Sequence, residues 1–171
     1  MKKKIAIILS CVLVLTCMLY GPVVHANRDQ SNMITKPYDY PIKPGTQEWI
    51  ALPSVIERRE ACEIPQEILE RMTTSALVES VITYPFFIDT IGAFNSFEEG
   101  LNWVATYFSG IDELLSRSDA CVCLRDYLLR EKDQYELLSA MDVSDKTVEQ
   151  MRQCSQYRSA ELLLGYMESL D

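Results

Sequence analysis

A chain of 171 residues with 25 acidic and 16 basic side chains carries a formal charge of −9. That charge repels phosphate backbones and anionic headgroups, and no basic cluster relieves it locally, so nucleic acid is not an expected partner. The acids are scattered, which suits a solubility device better than a cation store.

The first element is a leader. Lys2, Lys3 and Lys4 precede an apolar run from Ile5 to about Tyr20, and Val24-His25-Ala26 offers a signal peptidase Ala at −1 and Val at −3. Residues 1–26 therefore read as a signal peptide, and a mature chain starting at Asn27 would be secreted or extracellular, with cell-envelope association open. It would contact no membrane after cleavage. A retained anchor stays open as the alternative, because the run approaches the roughly 20 apolar residues that span a bilayer. Lipidation fits neither Cys11, which follows only six apolar residues, nor Cys17, which follows Leu15-Thr16 where a lipoprotein signal prefers smaller residues and a stop to the apolar run. Cleavage removes His25, the only histidine, and with it Ser-His and Cys-His triads and histidine-rich metal sites. The remaining 145 residues carry a formal charge of −12. A chain of that length buries about 68–70% of its unfolded surface without needing a metal or a disulfide.

Residues 27–45 read as an extended linker or strap. Pro37, Pro41 and Pro44 alternate with Tyr38 and Tyr40, a pattern that favours polyproline-like backbone. Its first ten residues are expected to be mobile, and Tyr38, Tyr40 and Trp49 to fasten the later part along a helical domain at 46–171.

Helical signals follow. Ser54-Val55-Ile56-Glu57 has capping-box spacing, Pro65 suits the first turn of a helix over about 65–71, and Thr73 can cap a helix to about Tyr84. On that helix Leu77, Val78, Val81, Ile82 and Tyr84 form one arc, with Glu79, Ser80 and Thr83 opposite. Pro85 then breaks the chain ahead of a mostly buried helix over Phe86 to Phe94. Ser96 to Glu99 repeats the capping box, and Phe97, Leu101, Val104, Ala105 and Phe108 follow at helical period, with Trp103 and Tyr107 on a second edge. Ser109-Gly110 is expected to end that helix, and a short turn over Ile111 to Arg117 to follow. Ser118 then caps a helix to about Glu131, packed on two sides through Leu124 and Tyr127 on one and Val122 and Leu129 on the other. The last two helices are placed at Asp145 to about Cys154 and Ser159 to Leu170, with Leu163, Tyr166, Met167 and Leu170 on one face. No alternating β pattern appears, so the class is all-α: a compact orthogonal bundle of about seven short helices.

Four cysteines follow the leader: Cys62, Cys121, Cys123 and Cys154. Cys121 and Cys123 point about 200° apart on a helix and do not readily bridge. Free thiols behaving as small apolar residues are the preferred reading, and a bridge between distant helices is the alternative. The sequence nominates no catalytic, cofactor-binding or metal-ligating residue. Asp142, Asp145 and Glu149 lack the alternating ligands and central glycine of a calcium loop. Glu79-Ser80 is similar to the Glu-Ser pair of lytic transglycosylases, but Glu79 is expected on a wet face and that family's glycine-containing substrate motif is absent downstream. Glu98 and Glu99 are explained by the helix start.

Two blocks resemble a known family. Lys43-Pro44-Gly45-Thr46-Gln47-Glu48-Trp49, then Cys62-Glu63-Ile64-Pro65, Leu69, Met72-Thr73-Thr74, Ala76-Leu77-Val78-Glu79 and Tyr84-Pro85 are similar to uncharacterised exported bacterial proteins. These share a Pro-Gly-Thr-x-Glu-Trp strap, an Ile-Pro helix start, a Met-Ser/Thr-Thr cap and a Tyr-Pro helix end. The likeness covers about residues 37–130; it implies export and a helical fold, and brings no activity or site residues. The functional expectation is an exported, non-enzymatic module contacting another protein or a cell-envelope component. The alternative is a carboxylate-dependent hydrolase of a polysaccharide or envelope polymer, to be recognised by a cleft with two acids about 5–9.5 Å apart beside Trp49 or Trp103.

Overall fold

The computed structural model describes residues 32–92 and 94–170, and the side chain of Ile91 is outside it; the leader and the expected mobility of residues 27–31 lie outside the described residues. The fold is all-α. In chain order the helices are α1 (Gln47–Ala51), α2 (Val55–Ala61), α3 (Gln66–Leu69), α4 (Thr74–Thr83), α5 (Asp89–Gly92), α6 (Phe97–Ala105), α7 (Gly110–Leu115), α8 (Ala120–Ser139) and α9 (Val148–Glu168), with a 3-10 turn at Val143–Asp145.

One chemistry starts five of these helices. The hydroxyls of Thr46, Ser54, Thr73, Ser96 and Thr147 each accept from the amide three residues on, at 3.1–3.3 Å. Ser54–Glu57 and Thr147–Gln150 close as reciprocal capping boxes. At Ser96 only half of the expected box forms, because the Glu99 carboxylate accepts from Asn95 N instead.

α4 is the central helix, with seven of its ten residues buried. They include Leu77, Val78, Val81 and Ile82 of the expected arc, whose fifth member Tyr84 is buried at the C-cap just past the helix, and also Ser80, which the helical pattern assigns to the wet side. The strap explains that difference. Ser80 Oγ accepts from Tyr38 N at 2.8 Å and donates to Ala76 O, while Tyr40 OH donates to Ser80 O at 2.8 Å. A hydroxyl so paired is buried without leaving a polar group unmet. Tyr40 is buried, Tyr38 packs edge-on against it, and Trp49 stacks on Phe86. The expected mobility of the first ten mature residues does not extend to Asn32 and Ile34. Ile34 exchanges backbone bonds with Arg71 and Thr73 in an isolated parallel bridge, and Arg71 donates to Asn32.

Beyond Pro85 the chain departs from the expected 86–94 helix. It takes successive i→i+3 turns, from Phe87 N to Tyr84 O, Asp89 N to Phe86 O and Thr90 N to Phe87 O, before the single turn of α5. Tyr84 is held extended, as a residue before proline prefers. Phe86 and Phe87 are buried while Ile88 is half exposed. The expected 97–108 helix is shorter, ending at Ala105, and Gly110 opens α7 rather than closing α6. Pro65 stands just before α3 rather than inside it, and α3 ends at Leu69 because Met72 joins the bridge to Ile34.

The largest departure is at the C-terminal end. α8 runs 20 residues and α9 runs 21, where two short helices were expected in place of α9. No breaker lies between Cys154 and Ser159, and the two helices form an antiparallel hairpin. Tyr135 and Tyr157 stack at 4.1 Å and 6°, and Arg125 pairs with Glu168 at the other end. Asp119, not Ser118, stands at the α8 N-cap, and its carboxylate accepts from Thr74 Oγ1. The second packed side expected for α8 does not form, since Val122 and Leu129 are exposed, and Leu170, just past the end of α9, is exposed too. Cys62 is fully enclosed, and burial pushes its thiol pKa up to about 11.

Two glycines give opposite predictions. A Cβ at Gly100 would lie 2.0 Å from the Thr90 carbonyl oxygen where α6 crosses α5, so Gly100→Ala should cost about 1–3 kcal/mol or more through overpacking. Gly165 sits in α9 facing open space, and Gly165→Ala should stabilise by about 0.4–1 kcal/mol. Urea denaturation midpoints test both, and equal midpoints would contradict the close α5–α6 crossing.

Candidate functional site

α4 and α8 lie side by side and parallel. Thr74 bonds Asp119, Ser75 bonds Cys123 and Glu79 pairs with Arg130, three contacts that advance in the same direction along both helices. α9 returns antiparallel to α8. Where α4 ends, a groove of about 330 Å³ opens between the three helices, with Glu79 and Thr83 from α4, Tyr127, Arg130, Glu131, Gln134, Tyr135 and Leu138 from α8, and Glu149, Gln153, Gln156 and Tyr157 from α9.

The groove is built around one guanidinium. Arg130 Nη2 donates to Glu79 Oε1 at 2.7 Å, Nε donates to Glu131 Oε1 at 3.2 Å, and its Cζ stands 5.4 Å from the Tyr127 ring centroid. On the opposite wall Arg152 grips Glu149 through both carboxylate oxygens, and Gln153 also donates to Glu149. The stacked Tyr135–Tyr157 pair and buried Leu138 complete the α8–α9 side. Burial pushes the Tyr127 phenol up to about 12; the negative charges of Glu131 and Glu79 add to the shift and Arg130 opposes it.

Of the carboxylates weighed for chemistry in the sequence, only Glu79 and Glu149 reach this groove. Ser80 points away into the strap, so the Glu79-Ser80 pair is split between two faces of α4. Neither tryptophan lines it: Trp49 stacks on Phe86, and Trp103 packs against Phe94 and Tyr107. Glycoside cleavage needs a carboxyl that delivers a proton to the leaving oxygen, whereas each groove glutamate accepts from an arginine. Asp142 caps the 3-10 turn by accepting from Ser144 N and Oγ, which hold its carboxyl below the usual range. Among the described residues no group of three or more His, Cys, Asp or Glu side chains is placed to hold a metal ion. Glu131, Gln134, Tyr135, Gln153 and Tyr157 carried no signal as a set, because their convergence depends on two helices being longer than their patterns suggest.

A second polar cluster lies under α2 and α6. Arg59 pairs with Asp89 at 3.3 Å and lies over the Tyr107 ring at 3.9 Å, while Glu63 accepts from Ser109 N and Oγ. Its pairs join α2, α5 and the segments that follow α2 and α6, so it acts as a clamp between elements. Comparison with known proteins finds no matching family model, curated relative or solved structure.

Tyr127 supplies a pH test. Its ionisation should centre near 12 against about 10 for a free phenol. The neutral ring thus contributes stability that is present below pH 10 and is lost as pH rises toward 12. Glu79→Gln combined with Glu131→Gln should lower that midpoint. Ring-carbon NMR titration of Tyr127 measures it, and a midpoint unchanged by both substitutions would show that the carboxylates do not act on the ring.

Proposed function

We propose that the protein is an exported, non-enzymatic helical module that works by contacting another protein or a cell-envelope component through the outer half of the α8–α9 hairpin and its groove. The observation that carries this reading is the state of the hairpin tip. Leu137, Val143 and Val148 are each more than 60% exposed and Met151 is 41% exposed, beside a groove lined with rings, amides and carboxylates. Apolar side chains gathered at one projecting end suit a contact surface. The arginine-held glutamates support binding over hydrolysis. Export rests on Lys2 to Lys4, the apolar run and Val24-x-Ala26, and the resemblance to exported helical proteins agrees with it.

Photo-crosslinking in the producing cell tests the reading. A photoreactive residue at Leu137 or Val148 of the full chain should give a discrete adduct, and one at exposed Glu67 should not. Absence of adducts at both tip positions, or equal adducts at Glu67, would refute the contact surface. The exported protein should begin at Asn27 on N-terminal sequencing, and a retained Met1 would mean an anchored form.

A further inference from the structure

The groove already displays the chemistry it selects. Arg130 lays a planar guanidinium against the Tyr127 ring and shares it between Glu79 and Glu131, so one cation serves two carboxylates. Arg130 engages only one oxygen of each, and among the described residues Glu79 Oε2 and Glu131 Oε2 accept no hydrogen bond. Tyr135 of α8 and Tyr157 of α9 add aromatic surface, and Gln153 and Gln156 of α9 add amide carbonyls. The sum is a pocket rich in acceptors, short of cations and walled by rings, on a chain whose charge draws cations in. Arg130 is half exposed and tethered by a flexible stem, so it can leave the seat without disturbing the core.

We propose that this groove binds the side chain of an arginine on a basic segment of the partner polypeptide. The incoming guanidinium would either join Arg130 at the second carboxylate oxygens or replace it over Tyr127. A guanidinium fits better than an ammonium because its planar fork offers five N–H donors and stacks on a ring while pairing with carboxylates. A phosphate or other anion is repelled by Glu79, Glu131 and Glu149. A neutral sugar would leave the charge of the paired glutamates unanswered. The inference rests on the binding-module reading and supplies its partner chemistry.

The test uses the full exported protein and follows the ring signals of Tyr127, Tyr135 and Tyr157 by NMR. The probe is a short Gly-Ser peptide with one central arginine, run against its lysine counterpart, spermidine and a chitin oligosaccharide. Saturable shifts of these rings with the arginine peptide are expected. Glu79→Gln combined with Glu131→Gln should weaken binding by about tenfold or more through loss of charge-assisted bonds. The same charge removed elsewhere, by Glu48→Gln with Glu67→Gln, should leave binding within about twofold if the effect is local rather than set by net charge. Arg130→Ala should tighten the arginine peptide by about threefold or more, because a resident side chain that occupies the seat lowers apparent affinity by the fraction of time it is there. If that variant loses thermal stability, Arg130→Gln gives the same comparison with the cation removed and most of the side-chain stem retained.

No saturable shift, spermidine or the lysine peptide binding as tightly as the arginine peptide, or binding indifferent to Glu79 and Glu131 would each overturn the proposal. So would ring shifts with the oligosaccharide alone. The two readings fail separately: tip adducts without groove shifts remove the arginine seat and leave the module. Loss of the tip adducts removes the module, and the ring titration still decides the seat.

Discussion

The burial of α4 is the constraint on which the rest of the molecule depends. A ten-residue helix with seven enclosed residues must be covered by the strap, α7, α8 and α9 together, and every polar group it carries inward has to be met. Thr74 gives its hydroxyl proton to Asp119, Thr83 bonds back to Glu79 O, and Ser80 is closed by the strap. An unmet buried hydroxyl or amide costs about 1–3 kcal/mol, so these pairings select where the covering elements lie. They also explain why the strap is ordered. Without Tyr38 and Tyr40, Ser80 would sit in an apolar face with only its own helix to bond.

Arg117 applies the same rule to the chain that enters α4. Its side chain is only 6% exposed, and the guanidinium pairs with Glu113 at 2.6 Å and donates to the Leu69 and Met72 carbonyls at 2.9 and 2.8 Å. Those carbonyls end α3 and precede the Thr73 cap, where no helical partner exists for them. One side chain thus ties α7 to the turn that aims α4, while the bridge from Ile34 to Met72 holds that turn from the other side. Removing either partner of so buried a pair would strand a charge, which is why its coupling to position is strong even though its net stabilisation is modest.

Local chemistry was legible in the sequence, and long-range convergence was not. Ser54, Thr73 and Ser96 announced helix starts because a hydroxyl three residues before an amide acts within one turn. Leu77, Val78, Val81 and Ile82 announced a buried face by period. Thr46 and Thr147 carry the same signal, and the Thr147–Gln150 spacing is that of a capping box, but prolines crowd the first and a polar stretch without apolar period precedes the second. Ser80 could not be placed inside from its own helix, because its partners are about 40 residues upstream. The groove was hidden for a related reason. The sequence pattern stops α8 near Glu131, whereas Tyr135 stacking on Tyr157 carries it to Ser139, and that extension brings Gln134, Tyr135 and Leu138 opposite α9.

That extension has a physical consequence for what the hairpin can do. α4 ends at Thr83, at the groove that Gln134 also lines, and past that groove, among the described residues, α8 and α9 support each other. Their shared interior there is Leu138, Tyr157 and the Tyr135 ring, which stand apart from the main cluster of buried side chains. Charge pairs such as Lys132–Glu136 and Glu149–Arg152 are exposed at this end and contribute little each in water. The tip is therefore the least supported part of a fold whose base is locked by buried polar pairs, and segments with few buried contacts open first. Leu137, Val143 and Val148 remain uncovered because no other element of the described chain extends that far. A rigid base that presents a lightly held, apolar-tipped hairpin lets a partner complete the packing at little cost in rearrangement, with the groove lying where the supported and unsupported halves of α8 meet.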